Sequence, residues 1–297
     1  MTSRTSQQLQ NFGDRDIETS GLEARTLIDR ILTTVAFLLL GLAILPLFLV
    51  IAYVTIKGLS RLNLDLLTGI PPAAMESGGG IGSAIAGTVL LVAIAGVVSI
   101  PFGIAAGIYL SEFSSKRIAK WIRFFTNVLS GVPSIIVGIF AYTVIVLTMG
   151  KFSAFAGGIA LAVLMVPIVV RTTDEALQIV PQEVRWASVG VGASSFHTVL
   201  QIVLPAAGPA VITGTTLAVA RAAGETAPLI FTVIYSPYWP DGIFDATVPA
   251  LSVVVYNFAT AAFENQQELA WAASLILVLL VLIASILSRW MTKKQQY

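Results

Sequence analysis

The sequence predicts an all-α integral membrane protein with six transmembrane helices. Only 11% of the 297 residues are charged and 56% are hydrophobic, whereas a soluble domain carries about 25% charged residues. The apolar residues fall into long blocks, and about 20 such residues form a helix that crosses the roughly 30 Å hydrocarbon core. The strands of a membrane barrel need only about 10 residues of alternating character, so helices fit these blocks and strands do not.

Six apolar stretches are predicted to span the membrane. They are Ile31–Ile56, a stretch within Ile81–Leu110, Ile122–Thr148, Ala154–Val170, Ala206–Tyr235 and Trp271–Trp290. A seventh uncharged stretch, residues 247–263, reaches only about 25 Å as a helix. We therefore expect it to lie at the outer membrane surface or between the spans. Residues 1–30 are polar and carry both signs of charge, which predicts a flexible cytosolic tail without a signal peptide.

The positions of the positive charges predict that both ends of the chain face the cytosol. Cytosolic segments of membrane proteins carry an excess of lysine and arginine. With six spans, the side of the two ends holds most of the 17 lysines and arginines, and the other side holds only Lys57, Arg61 and Lys151. A seventh span would move Lys293 and Lys294 to the outside, against this bias, so six spans are preferred.

Several classes of site are excluded by composition. The chain has no cysteine and a single histidine, His197, which excludes a disulfide framework, a thiolate or multi-histidine metal site and a cysteine nucleophile. A net charge of +1 gives no support to nucleic-acid binding. No Gly-x-x-x-x-Gly-Lys-Ser/Thr loop is present, so the chain lacks the phosphate loop that holds ATP. His197 is expected to pack or to cap a helix.

The segment between spans four and five, residues 174–205, predicts a helix–turn–helix in the cytosol. Pro181 suits the first turn of a helix, because its missing N–H would be unpaired there anyway. Gly190 and Gly192 can end that helix with a left-handed turn, which glycine adopts at little cost. The pair Ser194-Ser195 can then cap a second helix. An ordinary amphipathic hairpin at the membrane surface would show a similar pattern.

A charged pair, Arg221 and Glu225, lies within the fifth predicted span. An arginine at the centre of a membrane helix costs about 2.5–3.5 kcal/mol on insertion scales, so the pair is a candidate for the substrate pathway. The order of the pair, with Glu225 on the C-terminal side, is not the one that best supports a helix. A guanidinium suits a tetrahedral oxyanion. Pro228 is expected to bend the helix just past the pair. The alternative is a local salt bridge that only neutralises both charges.

Spans three and four supply further pathway candidates. The third span is interrupted by Gly131-Val132-Pro133-Ser134, and broken segments can mark a transport site. Helix packing around Pro133 is the other interpretation. Arg171 ends the fourth span, where it either guards the exit or anchors the helix in the headgroups. With the charged pair, the pathway candidates are Asn127, Ser130, Ser134, Arg171, Arg221 and Glu225.

The hairpin resembles the loop that permeases of ABC importers present to their ATPase. That signature reads Glu-Ala-Ala, three residues, Gly, nine residues, then Ile-x-Leu-Pro. This sequence has Ala187, Ser188, Gly192, Ile202, Leu204 and Pro205 at the expected spacing. Trp186 stands where glutamate is usual, and Ser188 replaces the second alanine. The resemblance implies that coupling to the ATPase involves Glu183, Arg185, Trp186, Ala187, Ser188 and Gly192.

A fuller resemblance is to permeases of phosphate importers of the PstA type. It covers roughly residues 81–290 and rests on SGVPSIIVGIF, VRTTDEALQIVP, ARAAGETAPLIFT and ENQQELAWAASLIL. It implies a type I (MetI-like) permease domain over residues 31–297 in a bacterial plasma membrane. The implied partners are a second, related permease, two ATPase subunits and an extracytoplasmic phosphate-binding protein. ATP and magnesium would be bound by the ATPase subunits, and this chain would itself catalyse nothing and hold no cofactor.

Three alternatives to a phosphate permease are open at this point. A permease for another oxyanion such as sulfate or molybdate would share every feature above. An ion-coupled carrier or channel would need no ATPase, and the hairpin argues against it. An intramembrane enzyme would need a histidine pair, a Ser–His pair or an Asp–Asp pair within the spans, and none is present there.

Overall fold

The computed structural model describes residues 19–76, 78–244 and 247–293, and these ranges contain helices but no strand. The predicted tail of residues 1–30 lies partly outside them, and a helix already begins at Thr19. In chain order the helices are α1 Thr19–Leu59, α2 Leu64–Thr68, α3 Gly82–Phe113, α4 Lys116–Ser130, α5 Ser134–Met149, α6 Ala154–Ile179, α7 Gln182–Gly190, α8 Ser195–Gly224, α9 Ala227–Thr232, α10 Leu251–Ala259 and α11 Glu264–Lys293.

Five of these helices are long and apolar enough to cross a membrane, and a bent pair supplies a sixth crossing. The five are α1, α3, α6, α8 and α11, and the pair is α4 with α5. The prediction of six spans in an all-α protein is confirmed on this count. Within α3, α5 and α8, one turn each is π-helical, at Tyr109–Phe113, Tyr142–Val146 and Val199–Val203.

The chain divides into two units, one ending at Tyr53 and the other beginning at Val54. The described part of the first unit is the greater part of α1. Its apolar side chains are exposed, with Phe37 and Leu38 both at 68% and Phe48 at 66%. An apolar helix of this length requires lipid or other protein against its surface.

The second unit is built around α3 and α6, which run closely side by side. A side chain at Gly103 would meet Val169 at 2.7 Å, and one at Gly107 would meet Thr173 at 2.6 Å. Small residues at such contacts let membrane helices approach closely. α8 packs on the same central helix, where Gly214 lies against Thr172.

The third predicted span is not straight. α4 and α5 meet at 94°, and the break falls at residues 131–133. Gly131 ends α4, and the extended backbone of Pro133 begins α5. The proline has no N–H to continue the first helix. The interruption predicted at residues 131–134 is therefore confirmed, and it separates an amphipathic helix from an apolar one.

The fifth predicted span, Ala206–Tyr235, is also divided. α8 begins earlier, at Ser195, and ends at Gly224, and Glu225 has extended backbone (φ −72°, ψ 129°). Pro228 then lies in the first turn of α9, a position that suits proline. The predicted bend at Pro228 was therefore wrong in detail, since the helix stops before the proline and restarts with it.

The short helix α10 occupies the region of the seventh apolar stretch. It has nine residues, of which Leu251, Val253, Val254 and Phe258 are buried, and it packs against α3 and α11. Its first N–H, that of Leu251, donates to Thr88 Oγ1 at 2.8 Å. Of the two placements expected for this stretch, the outer surface or a position between spans, the contacts with α3 and α11 favour the second.

Candidate functional site

The hairpin of α7 and α8 has the shape that its prolines, glycines and serines predict. Pro181 precedes α7, and Gly192 has a φ of +93°, in the left-handed region. Ser194 Oγ accepts from the N–H of His197 at 3.3 Å and lies 2.9 Å from His197 Nδ1. His197 thus takes part in the cap that begins α8. A bond of 2.8 Å between Ser188 Oγ and Thr198 Oγ1 joins the two arms.

Apolar side chains are exposed at the tip of this hairpin. Trp186 is 65% exposed, Val189 53%, Val191 87% and Phe196 59%. Glu183 and Ala187 are exposed as well. Exposed apolar groups gathered around one turn mark a surface that contacts another protein or a membrane. The hairpin therefore carries a candidate docking surface, formed by Trp186, Val189, Val191 and Phe196.

Arg185, predicted to couple to the ATPase, is directed into the protein. Its guanidinium donates to Glu112 Oε1 at 2.6 Å and to Glu112 Oε2 at 3.2 Å, and it also reaches the carbonyl oxygens of Leu177 and Val180. The exposed fractions of the two charged side chains are 13% and 9%. A buried pair with its hydrogen bonds satisfied holds its two elements together. Arg185 thus ties α7 to the end of α3, while a contact of Arg185 with a partner stays a prediction.

A second ion pair connects α4 to α6. Arg123 donates to both carboxylate oxygens of Asp174, at 2.8 and 3.0 Å, and Gln178 donates to the same carboxylate. Only 6% of the Asp174 side chain is exposed. The pair borders a cleft of about 130 Å³, whose other lining residues include Asn127 and Arg171. Two of the predicted pathway residues are thus brought together in one place.

Arg221 lies in the last turn of α8 and its guanidinium is open. Its Nε is 3.5 Å from Glu225 Oε1, and the exposed fractions of the two side chains are 55% and 16%. In the described part of the chain the Arg221 guanidinium donates no hydrogen bond. A cation is favoured at a helix C-terminus, and the nearby carboxylate neutralises it only loosely. The arginine therefore keeps donors that an anion can use.

The exposed face that carries Arg221 runs along α8. Its members recur at intervals of three and four residues and so share one side of the helix: they are Ala206, Ala210, Thr213, Leu217, Arg221 and Gly224. Beyond the helix end, the Glu225 carbonyl oxygen accepts from Ser252 Oγ at 2.9 Å. A backbone break inside a membrane requires such a partner. The break is thus held in place by α10.

The predicted pathway residues form two groups and not one. Arg221 and Glu225 pair with each other, while neither lines the cleft that holds Asn127 and Arg171. Arg171 also pairs with Glu175, at 2.8 Å. Ser130 Oγ donates to the carbonyl oxygen of Thr126, and Ser134 begins α5. The two serines thus flank the break between α4 and α5 and belong to neither group, and a part for them in the pathway stays a prediction.

Four residues with a part in these sites were not among those predicted. They are Glu112, Arg123, Asp174 and Ser252. An acidic residue at the end of an apolar run signals a paired charge, since an unpaired buried carboxylate is costly. The sequence could have identified Glu112 and Asp174 as members of buried ion pairs in this way. It could not have named their partners, which lie 73 and 51 positions away.

The comparison with known sequences gives a consistent result. Residues 99–297 match the family described as "Binding-protein-dependent transport system inner membrane component". A "Phosphate transport system permease protein PstA" of Yersinia pestis is 42% identical over 81% of this chain and 82% of its own length. Proteins of the same name from Pasteurella multocida and Mycobacterium leprae are each 34% identical, over 89% and 81% of this chain.

Solved structures with a similar fold are also ABC transporters. A bacterial ABC transporter involved in the import of the acidic polysaccharide alginate gives a TM-score of 0.60 at 14% identity, over 93% of this chain and 100% of the other. The MetNI methionine ABC transporter gives 0.57 at 16% identity, over 73% and 95%. At these identities the likeness concerns the fold alone, which is that of a MetI-type importer permease. The chain therefore belongs to the binding-protein-dependent transport system inner membrane components and, within that family, to the phosphate transport system permease proteins PstA.

Proposed function

We propose that this chain is the membrane-spanning permease subunit of an ATP-driven phosphate importer. The observation that carries the proposal is the open guanidinium of Arg221, in the last turn of a helix that is long and apolar enough to cross a membrane. An arginine exposed to hydrocarbon would cost several kcal/mol, so its exposed face must meet water, an anion or protein. A guanidinium with free donors binds a phosphate through parallel hydrogen bonds. Arg221 then contacts phosphate on its way through the membrane, and Glu225 keeps the guanidinium in place.

A second, related permease supplies the other half of the pathway. The exposed face of α8, from Ala206 to Gly224, has no cover within the described residues of this chain. A heterodimer of two permeases would place this face at the boundary between them. The pathway then lies between the subunits, and Arg221 reaches it from this chain.

The hairpin of α7 and α8 couples this pathway to ATP. Its apolar tip, formed by Trp186, Val189, Val191 and Phe196, would dock on one of two ATPase subunits, which bind ATP and magnesium. This chain contributes no catalytic group and no cofactor site. An extracytoplasmic phosphate-binding protein would deliver the substrate to the opposite side.

This arrangement fixes the orientation of the chain in the plasma membrane. The hairpin must face the cytosol to reach an ATPase, and the bias of lysine and arginine places both termini on the same side. Six crossings, four of them before the hairpin, support this orientation if α4 and α5 together cross once.

A reconstitution experiment tests the proposed function. The chain is co-expressed with its partner subunits, purified as a complex and placed in sealed vesicles with the binding protein outside. We expect uptake of radiolabelled phosphate that requires ATP inside, resists an ionophore, and is little affected by excess sulfate or molybdate. Uptake driven by an ion gradient without ATP would contradict the proposal, and so would displacement of phosphate by sulfate at equal concentration.

A further inference from the structure

Helix α4 differs from every other long helix of this chain in how its side chains are distributed. Its side chains fall on three faces, which the helical spacing of the residues separates. Ala119 and Thr126 are buried against α6, while Ile118, Trp121, Phe125 and Val128 form an exposed apolar face. The basic residues lie between the two. This pattern is typical of a helix that lies in the plane of a membrane surface.

The geometry of α4 agrees with an in-plane position. α4 meets α5 at 94°, so if α5 crosses the bilayer, α4 lies close to the plane of the membrane. Its 15 residues extend about 22 Å along that plane. The pair Arg123–Asp174 fixes its inner face to α6. An amphipathic helix in that orientation has its apolar face at the level where headgroups meet acyl chains.

The exposed basic residues of α4 have no anionic partner within the chain. Lys116, Arg117 and Lys120 are exposed and form no ion pair with any residue that the structure describes. All three lie near the N-terminus of the helix, and no acidic residue lies in its first turn. The positive end of the helix dipole repels cations there. An external anion would relieve both the repulsion and the missing pairs.

Aromatic rings lie directly beside these cations. Trp121, Phe124 and Phe125 are 54–58% exposed and already pack on one another, with ring centroids 5.6–6.1 Å apart. Lys116, Arg117 and Lys120 line an open groove together with Trp121 and Phe124. The groove has a volume of about 670 Å³. The groove thus offers cations for a headgroup and rings for the start of an acyl chain.

We propose that this groove binds an anionic phospholipid of the cytosolic leaflet. The lipid phosphate lies against Lys116, Arg117 and Lys120, and the upper acyl chain lies on Trp121 and Phe124. Because α4 is tied through Asp174 to the helix that leads into the hairpin, the bound lipid steadies the base of the coupling hairpin. The inference requires that α4 lies at a membrane and does not depend on phosphate as the transported substrate.

The test uses the absence of cysteine from the native chain. Ile118, which is 44% exposed on the apolar face, is replaced by cysteine and labelled with bimane in a complex whose partner subunits lack reactive cysteines. The complex is placed in phosphatidylcholine vesicles that contain either brominated phosphatidylglycerol or brominated phosphatidylcholine. Bromine quenches bimane only on contact, so the ratio of the two quenching strengths measures lipid preference at α4.

We expect the anionic lipid to quench more strongly. Lys116→Gln with Lys120→Gln should reduce this preference by about fivefold for each charge removed. The matched control, Arg25→Gln with Arg30→Gln, removes two charges at the start of α1 and should leave the preference unchanged. Excess inorganic phosphate should not displace the lipid. Size-exclusion chromatography confirms that each variant still assembles.

Two results would overturn the proposal. Absence of quenching by either lipid would mean that the second permease or another protein covers the apolar face. Equal quenching by both lipids, unchanged in the lysine variant, would mean that α4 lies in the membrane without selecting a headgroup. A complex that keeps the lipid preference but shows no ATP-driven phosphate uptake would count against the proposed function alone.

Discussion

Four arginines in the second unit differ in what their guanidinium groups reach. Arg123 and Arg185 each make two hydrogen bonds to a carboxylate, and Arg171 makes one. Arg221 makes only a loose ion pair of 3.5 Å with Glu225. A guanidinium whose donors are satisfied within the chain is structural, whereas one with free donors can bind a ligand. By this measure Arg123 and Arg185 hold the fold, whereas Arg171 and Arg221, both more than half exposed, keep donors for a ligand.

Replacement of Arg221 tests its part in the pathway. Arg221→Gln removes charge-assisted hydrogen bonds to phosphate, each of which is worth about 1.5–3 kcal/mol, so we expect uptake to fall at least tenfold. Arg221→Lys keeps the charge but loses the paired donors and should retain part of the activity. Phosphate uptake and co-purification of the partner subunits are measured together. Normal uptake by Arg221→Gln in an intact complex would remove Arg221 from the pathway.

The ion pair Arg185–Glu112 allows a second prediction, which concerns the stability of the complex. Loss of one partner of a buried ion pair costs about 3–5 kcal/mol, so Arg185→Ala and Glu112→Ala should each lower the thermal stability of the complex. Both should also weaken stimulation of ATPase activity by the loaded binding protein, because α7 is no longer fixed to α3.

Glu183→Gln is the matched control for the pair, since Glu183 is an exposed charge on the same helix α7. It should leave the thermal stability of the complex unchanged. If Arg185→Ala abolished stimulation while Glu112→Ala had no effect, Arg185 would act by direct contact with the ATPase and not through the pair.

At the scale of elements, the turn of the hairpin has a clear requirement for glycine. Gly192 has a φ of +93°, whereas Gly190 ends α7 with a backbone that any residue adopts, and neither would place a side chain within 4 Å of another atom. Gly192→Ala should therefore destabilise the hairpin by about 1–2 kcal/mol, the cost of a left-handed residue with a side chain. Gly190→Ala should be neutral. ATPase stimulation and thermal unfolding measure both, and equal effects would contradict the turn geometry.

Elements set by local chemistry were predictable from the sequence, and those set by distant contacts were not. The hairpin followed from Pro181, Gly192 and Ser194, each of which acts within one turn of its own position. The break at Glu225 did not follow, because its carbonyl is satisfied by Ser252, 27 positions away. A stretch of high hydropathy looks the same whether the helix is whole or broken. The angle between α4 and α5 did not follow either, because the apolar face of α4 resembles part of a span.

At the scale of the whole molecule, this chain has exposed surfaces that need lipid or a partner protein to cover them. The apolar side chains along α1 are exposed, and so is the face of α8 that carries Arg221. Composition predicted a membrane protein with six crossings because bilayer thickness dictates helix length. Composition could not predict which exposed faces contact a partner protein and which contact lipid, since both kinds of apolar surface have similar composition. In the assembled complex, we expect the α8 face to meet an aqueous anion path and not lipid.

Accessibility of this face to a charged reagent in the assembled complex tests the claim directly. Leu217 lies one turn before Arg221 on the exposed face, and Val97 is an exposed apolar residue of α3 at 75%. Each is replaced by cysteine in the otherwise cysteine-free chain and treated with an anionic, membrane-impermeant thiosulfonate in open membrane patches. We expect Leu217→Cys to react, with phosphate and the loaded binding protein slowing the reaction during ATP turnover, and Val97→Cys to stay unmodified. An unreactive Leu217→Cys in all nucleotide states would contradict an anion path along α8.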